Sequence, residues 1–181
     1  MPTSRPIASG TIVRQARESE WEEYRDLRLK ALWSDPTAFG STLQREEQFT
    51  PAMWKERINH GPAGSEAATW VAVDSAGQFV GTTVTATVGE TVHLFAMWVD
   101  PDHRGNGIGA QLLDAALDWI RHTHAGRSAL LEVNPHQVAA LRLYESRGFR
   151  RTGQSSPLGH TPGETVVEME LTSGGEAPPT M

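Results

Sequence analysis

The sequence contains no cysteine. That absence excludes disulfides, thiol nucleophiles and cysteine-based zinc sites together. No apolar run approaches the roughly 20 residues that span a bilayer. The opening segment MPTSRPIASG also lacks the apolar core, roughly 7–15 residues long, that is typical of a secretory signal. We therefore expect a cytoplasmic protein.

Positive charge is also scarce, with 16 Lys and Arg against 22 Asp and Glu and a formal net charge of -6. A protein that grips phosphates without regard to sequence needs the opposite sign, so we expect no nucleic-acid partner. A cationic substrate fits this balance better. No histidine cluster has metal-ligand spacing, so no metal is expected. A chain of 181 residues with 38% hydrophobic content fits one domain with a substantial core.

The chain divides into two unstructured ends and one interior unit. Residues 1–10 and 172–181 are rich in Pro, Ser and Gly without periodicity, which predicts disordered tails around a single domain over 11–171. Within the domain the predicted order is strand, helix, helix, three strands, helix, strand, helix and two strands. This order indicates an α/β (α+β) fold with a mixed, mostly antiparallel sheet flanked by helices, in which a strand–helix–strand passage supplies one parallel pair.

Capping signals place the helix ends. Ser19 with Glu22 predicts a capping box that opens the first helix, and Asp35-Pro36 stops it. Thr50-Pro51 predicts the start of a second helix. The clearest helix runs from Gly109 to about residue 122, with a continuous apolar stripe. A last helix over 138–147 ends at a glycine.

The stretch VDPDHRGNGIGAQLL carries the chemistry. A strand ends at Val99, and a loop with Gly105, Gly107 and Gly109 leads directly into the clearest helix. Glycines allow the backbone to approach a ligand closely, and a helix N-terminus offers unpaired N–H groups and partial positive charge. Arg104 adds a full charge. The sequence therefore predicts a phosphate-binding loop.

Other interpretations of the loop fit less well. The glycines formally match the dinucleotide fingerprint GxGxxG/A, but DPDHR separates them from the strand, no acidic residue ends a strand about 20 residues later, and the preceding strands form a meander. A Walker A loop is excluded because no GK[ST] follows. A glycine-rich surface turn without a ligand remains open.

The segment Arg104-x-x-Gly107-x-Gly109 resembles the R/Q-x-x-G-x-G/A signature of the GNAT acetyltransferases. A second block, LEVNPHQVAALRLYESRGF, resembles that family's strand, helix and turn with a tyrosine before a GF pair. The resemblance covers roughly Thr69 to Leu171, and the stretch from Tyr24 to Ile58 also looks like small bacterial members. It implies a splayed strand pair, an acetyl-CoA cofactor and cofactor contacts at Met97, Trp98, Val99, Arg104, Gly105, Asn106, Gly107, Ile108, Gly109, Ala110, Asn134, Gln137 and Tyr144. One departure is Gln137, where the family commonly has asparagine; Asn134 lies three residues earlier.

The resemblance also implies catalytic roles. Tyr144 occupies the position of the family's general acid, which protonates the departing thiolate; packing between helix and sheet is the structural alternative. The donor to the developing oxyanion would be a backbone N–H near Trp98 or Val99. His93 and Glu132 are the candidate bases, although each also fits an ordinary sheet position.

The resemblance implies that the first third of the chain covers the acceptor site, and aromatic and acidic residues are found there. Trp33, Phe39 and Trp54 would form an apolar or cation-binding wall, and Glu46 lies in the same region. Core packing, for the aromatic residues, and a solvated helix face, for Glu46, are the alternatives.

Three functions stay open at this point. The first is acetyl transfer from acetyl-CoA to a primary amine of a small cationic molecule, such as a polyamine or an aminoglycoside-like antibiotic, with antibiotic resistance as one biological role. The second is acetylation of a protein N-terminus or lysine. The third is a non-catalytic CoA-binding module. Because many relatives pair through strand edges, the resemblance leaves a homodimer open.

Overall fold

The computed structural model describes residues 10–59 and 66–173. The tails predicted over 1–10 and 172–181 lie almost entirely outside these ranges. None of the described helices is both long enough and apolar enough to cross a membrane.

Within the described ranges, seven strands form one sheet in the order β1-β2-β3-β4-β5-β7-β6. Only β4 and β5 run parallel; every other neighbouring pair is antiparallel. This confirms the predicted mixed sheet and its one parallel pair. The strands are β1 Ile12–Gln15, β2 Ala67–Val73, β3 Phe79–Val88, β4 Thr91–Val99, β5 Ala129–Val133, β6 Arg150–Pro157 and β7 Thr165–Leu171.

In the part of the chain that the structure describes, five α-helices cover the sheet: α1 Trp21–Ser34, α2 Leu43–Glu46, α3 Pro51–Asn59, α4 Ile108–Thr123 and α5 Val138–Ser146. The predicted stop at Asp35-Pro36 is confirmed. The predicted start at Thr50 is also confirmed, because the Thr50 hydroxyl accepts a hydrogen bond from the Met53 N–H at 3.3 Å.

The predicted capping box of Ser19 and Glu22 is wrong. A single 3-10 turn, Glu18–Glu20, precedes α1, and the carboxylate that reaches back is that of Glu20, which accepts the Arg17 N–H at 2.8 Å. The short helix α2 was not predicted. Its four residues are too few to show a period, although Thr42 caps it by accepting the Arg45 N–H at 3.3 Å.

Helices pack on both faces of the sheet because side chains alternate along β2. Val71 packs with Tyr24 and Trp54 of α1 and α3, whereas its neighbour Ala72 packs with Leu112 of α4. The long apolar stripe of α4 is fully buried, as predicted. A sheet covered on both faces leaves its edges and its strand ends as the places where a site can open.

Two irregularities open the middle of the sheet. Strands β4 and β5 pair only over residues 92–94 and 129–131, so they diverge beyond Leu94 and the splayed strand pair is confirmed. In the same place β4 carries one extra residue against β3, since Thr82 faces Trp98 while Val84 faces Phe95. Ala96 in this bulge has φ +54°, which is rare for a residue with a side chain.

Candidate functional site

The N-terminus of α4 forms one side of the site. After β4 ends at Val99, a 3-10 turn over Pro101–His103 leads to Gly107, which caps α4 in the left-handed conformation with φ +79°. A residue with a Cβ is strained there, which explains the glycine. No side chain caps this helix, so its first N–H groups stay available for an anion.

A cavity of about 540 Å³ lies against this loop. Its walls come from the end of β4, the glycine loop, the start of α4 and the start of α5. Ten of the predicted cofactor residues line it: Met97, Trp98, Val99, Arg104, Gly105, Gly107, Ile108, Gly109, Ala110 and Gln137. The set combines three glycines and Ala110, where the backbone can approach a ligand closely, with the larger side chains of Met97, Trp98 and Arg104. We call it the cofactor cavity.

The other three predicted cofactor residues, Asn106, Asn134 and Tyr144, do not line the cofactor cavity. Asn106 belongs to the glycine loop, where its amide donates to the His103 carbonyl at 3.2 Å. Asn134 is buried; its amide donates to Glu164 at 2.9 Å, and its carbonyl oxygen accepts the His136 N–H at 3.0 Å. These bonds anchor the turn between β5 and α5. Gln137, not Asn134, faces the cofactor cavity.

Asp35 organises the mouth of the cofactor cavity, a role that its sequence position as a helix stop did not indicate. One of its oxygens accepts hydrogen bonds from the Trp98 indole and from the Arg104 guanidinium, both at 2.7 Å. Arg104 also donates to the Val99 carbonyl at 2.9 Å. Burial acts to raise the pKa of Asp35, but the hydrogen bonds from Ser34, Trp98 and Arg104 lower it below its usual value. The paired carboxylate therefore holds Arg104 beside the glycine loop at neutral pH.

Tyr144 lies in the core between α5 and the sheet. It is 5% exposed, and its ring packs edge-on against Phe149 at 5.9 Å between centroids. Burial raises the pKa of the Tyr144 hydroxyl above its ordinary value, so the group stays protonated at neutral pH. Tyr144 does not line the cofactor cavity itself, but its neighbours Ala140 and Leu143 do.

A second cavity, of about 670 Å³, lies on the other side of the bulge. Its floor is formed by β3, β4 and β5, and its walls by α1, α3, the segment after α1 and the connection between β6 and β7. We call it the acceptor cavity. Ala38 lines both cavities, while Met97 lines the cofactor cavity and the adjacent Ala96 lines the acceptor cavity. The two spaces therefore adjoin at the β4 bulge.

Both predicted bases line the acceptor cavity. His93 shares a hydrogen bond of 3.1 Å with the Thr91 hydroxyl and stacks on Phe95 with 5.7 Å between ring centroids. Glu132 accepts a hydrogen bond from the Ser156 hydroxyl at 2.9 Å. The two residues stand on neighbouring parallel strands, where His93 is in register with the residue two before Glu132.

The predicted aromatic acceptor wall is reduced to Phe39. Trp54 is 1% exposed and packs in the core against Tyr24, and Trp33 is 73% exposed on the outer face of α1. Neither lines the acceptor cavity. Glu46 is buried beneath two arginines instead of being a solvated helix residue, so its side chain does not line the cavity either.

Arg28 and Arg57 also line the acceptor cavity, and neither was predicted as a site residue. Arg28 is 3% exposed and its guanidinium carbon lies 4.4 Å from the centre of the Phe39 ring. Arginine on a helix is usually solvated, and only the fold shows that these two point inward. Among the described residues, no group of three or more His, Asp or Glu side chains is placed to hold a metal ion.

Comparison with known proteins agrees with this geometry. A family model described as "Acetyltransferase (GNAT) family" matches residues 14–149. The chain is 34% identical over 109 residues to N-alpha-acetyltransferase RimI of Mycobacterium tuberculosis, a match that covers 58% of this chain and 66% of that protein, slightly under two thirds of its length. A GNAT acetyltransferase structure from Streptococcus pneumoniae superposes with a TM-score of 0.76 at 22% identity, covering 91% of this chain and 99% of that one. A spermidine N-acetyltransferase from Vibrio cholerae, in complex with CoA and spermine, superposes with a TM-score of 0.72 at 16% identity, covering 91% and 96%.

Proposed function

The chain belongs to the acetyltransferase (GNAT) family, and we propose that it transfers the acetyl group of acetyl-CoA to a primary amine of a small molecule. The observation that carries the proposal is the pair of cavities that adjoin at the β4 bulge, one lined by Met97 and the other by Ala96. Two reactants held on either side of one strand meet without an enzyme-bound intermediate. The amine therefore attacks directly in a ternary complex, which agrees with the absence of cysteine from the sequence.

The cofactor cavity fits acetyl-CoA. The first N–H groups of α4 and the Arg104 guanidinium would hold the pyrophosphate, and the apolar side chains of Met97, Val138 and Leu143 would contact the pantetheine arm. Acetyl-CoA supplies an activated thioester. Its carbonyl carbon accepts the amine, and the carbon–sulfur bond breaks to release the thiolate of CoA.

We assign Tyr144 to the leaving thiolate. Because burial raises its pKa, the hydroxyl is a weaker acid than tyrosine in water. Its contribution then depends on a hydrogen bond to the sulfur that strengthens as charge develops there, with the proton following. The unpaired edge of β4 beyond Leu94 offers a backbone N–H near Trp98 or Val99 to the developing oxyanion.

The amine must lose a proton before or during the attack. Glu132 and His93 both line the acceptor cavity, and this position supports either one as the group that accepts the proton, directly or through a water molecule. We propose the pair as alternative bases. The sequence suggested a cationic acceptor because of the net charge of -6. The acceptor cavity itself contains Arg28 and Arg57, which disfavours a polycation and favours an acceptor with a single amine.

Acetylation of a protein N-terminus is the second candidate, and the 34% identity to the mycobacterial N-alpha-acetyltransferase favours it. A peptide acceptor enters with its first residue in the acceptor cavity and the rest of the chain outside. Peptides and small amines therefore belong in the same assay.

Thermal shift with acetyl-CoA, CoA and NAD tests the cofactor first. A ligand at a hundredfold excess over its Kd stabilises the folded protein by about 2.7 kcal/mol, so binding of acetyl-CoA is expected to raise the Tm clearly. A shift with NAD and none with acetyl-CoA would refute the proposal. A thiol-release assay against amines and peptides then measures transfer.

Replacing Tyr144 by Phe separates an enzyme from a CoA-binding module. We expect Tyr144→Phe to lower kcat by roughly 100-fold or more, since general acids contribute on that scale, while the Kd for acetyl-CoA stays the same. The unchanged Kd is the internal control for folding. Equal inertness of wild type and variant across the whole panel would favour the non-catalytic module.

A further inference from the structure

The acceptor cavity has a basic wall that acetyl transfer does not require. Tyr24 and Arg28 of α1 and Arg57 of α3 line the cavity from its helical side. Tyr24 is fully buried and Arg28 is 3% exposed, whereas the Arg57 side chain is 29% exposed. Arg57 is therefore the member of this wall that a ligand entering from solvent meets first.

The wall carries one unbalanced positive charge. Glu46 is fully buried and accepts two hydrogen bonds from Arg28, at 2.9 and 3.0 Å, and one from Arg57 at 3.2 Å. Burial acts to raise the pKa of Glu46, but the hydrogen bonds and charges of Arg28 and Arg57 outweigh it and lower the pKa below its usual value. The carboxylate is thus ionised at neutral pH. One carboxylate against two guanidinium groups leaves a single positive charge beside the cavity.

Two polar atoms of the wall have no partner. The Arg28 Nη1 and the Tyr24 hydroxyl are buried, and neither has a hydrogen-bond partner among the described residues. Leaving a buried donor unpaired destabilises a protein by about 1–3 kcal/mol per group. Both atoms are covered by protein atoms, but both residues line the acceptor cavity, so a carboxylate bound there would satisfy the two donors after a small rotation of the Arg28 and Tyr24 side chains.

We propose that the acceptor is a zwitterion, a small primary amine that also bears a carboxylate, such as an α-amino acid. This inference rests on the proposed acetyl transfer. The carboxylate of the acceptor pairs with Arg57 and Arg28 and accepts a hydrogen bond from the Tyr24 hydroxyl. The amine of the acceptor faces the sheet, where Glu132 and the bulge at Ala96 line the cavity. A zwitterion complements both the positive wall and the acidic floor residue. A polyamine would place a second cation against the arginines.

Matched acceptor series test the carboxylate. Each series consists of an amino acid, its primary amide and the amine that lacks the carboxyl group, for example methionine, methioninamide and 3-(methylthio)propylamine, with spermidine added as a polycation. We expect kcat/KM for the amino acid to exceed that of the amide and the amine by roughly tenfold or more, as for a charged pair partly shielded from water. A preference for the amide, which imitates a peptide N-terminus, or for the amine or spermidine would overturn the inference.

The variant Arg57→Met tests whether a preference for the amino acid over its amide depends on the basic wall. The substitution keeps a flexible apolar side chain, removes the guanidinium and leaves Arg28 and Glu46 neutral together. The ratio of kcat/KM between amino acid and amide is therefore expected to fall roughly tenfold, through a higher KM for the amino acid. Arg45→Met, at an exposed position on α2, is the control and keeps the wild-type ratio. Because the ratio compares two substrates on one protein, general damage to the fold does not change it.

The possible outcomes distinguish a failure of the zwitterionic acceptor from a failure of acetyl transfer. An unchanged ratio in Arg57→Met would refute the wall as the carboxylate site. Thiol release that prefers acceptors without a carboxylate would leave acetyl transfer standing and remove only the zwitterion. No thiol release with any acceptor, although acetyl-CoA raises the Tm, would remove the proposed function and this inference together.

Discussion

The two cavities on either side of β4 are built by different means. The cofactor cavity takes most of its wall from one continuous stretch, Met97 to Ala110, and presents mainly backbone, glycine and small apolar side chains. The acceptor cavity takes side chains from α1, α3, five strands, the segment after α1 and the β6–β7 connection, and several of them are charged. The first arrangement depends on the conformation of one backbone segment, whereas the second depends on individual side chains from separate elements.

Because of this difference, we expect substitutions beneath the acceptor cavity to lower the stability of the fold and substitutions in the glycine loop to weaken ligand binding. In the acceptor cavity the charged wall rests on the buried Glu46, whose loss affects folding. In the cofactor cavity the glycine loop lies at the surface, so its changes affect the ligand first. Substitutions at Glu46, Gly107 and Asp35 test that division.

Glu46→Gln is expected to have the largest effect. Removing the charge leaves Arg28 and Arg57 close together with no counter-ion, and breaking a buried ion pair in this way lowers the free energy of unfolding by about 3–5 kcal/mol. Glu47→Gln, at the adjacent exposed position, is the control and is expected to stay within about 0.5 kcal/mol of wild type. Urea denaturation measures both. A Glu46→Gln variant as stable as its control would show that the wall does not depend on this carboxylate.

Gly107→Ala is expected to weaken acetyl-CoA binding in addition to its effect on folding. Gly107 has φ +79° and Gly77, in the β2–β3 turn, has φ +81°, and a Cβ at either position meets no atom within 4 Å. Both alanine variants should lose about 1–2 kcal/mol of stability from backbone strain. Only Gly107→Ala should also weaken acetyl-CoA binding, by roughly tenfold, because it displaces the N–H groups at the start of α4. Isothermal titration calorimetry with acetyl-CoA separates them, and equal affinities in the two variants would contradict the role of the loop.

Acid unfolding gives the smallest effect, since it appears only at low pH. The folded-state pKa of Glu46 and of Asp35 lies below the unfolded value, which is about 4 for these residue types. Each carboxylate therefore stabilises the fold above about pH 4, and that stability is lost as the pH falls through the folded-state pKa. Between pH 5 and the acid limit, the decline in unfolding free energy should become shallower in Glu46→Gln and, to a smaller extent, in Asp35→Asn. Identical slopes in all three proteins would mean that neither pair is formed in solution.

The contrast between the two cavities also explains why the cofactor cavity could be predicted from the sequence and the acceptor wall could not. The glycine loop, its helix and the order of the strands follow from neighbouring residues, because turns, caps and periodicity are local. The acceptor wall is not local: Arg28 and Glu46 are 18 residues apart, and each resembles an ordinary helix charge. Trp54 was misplaced for a related reason, since an aromatic residue on an amphipathic helix packs in a core or lines a site with the same spacing. Asp35 appeared only as a helix stop because its partners Trp98 and Arg104 lie more than 60 residues away.

The left-handed Ala96 in the β4 bulge limits how the protein can be redesigned. A library that diversifies the acceptor cavity can vary Phe95, Ser156 or Phe39, whose backbones tolerate any side chain of suitable size. At position 96, with φ +54°, a β-branched or bulky residue would be strongly disfavoured, and glycine would relieve strain but let the strand relax out of its bulge. New acceptor specificities are therefore accessible by exchanging side chains around the β4 bulge while its backbone conformation is kept. Variants that fold with this bulge would keep the same relative position of the two cavities.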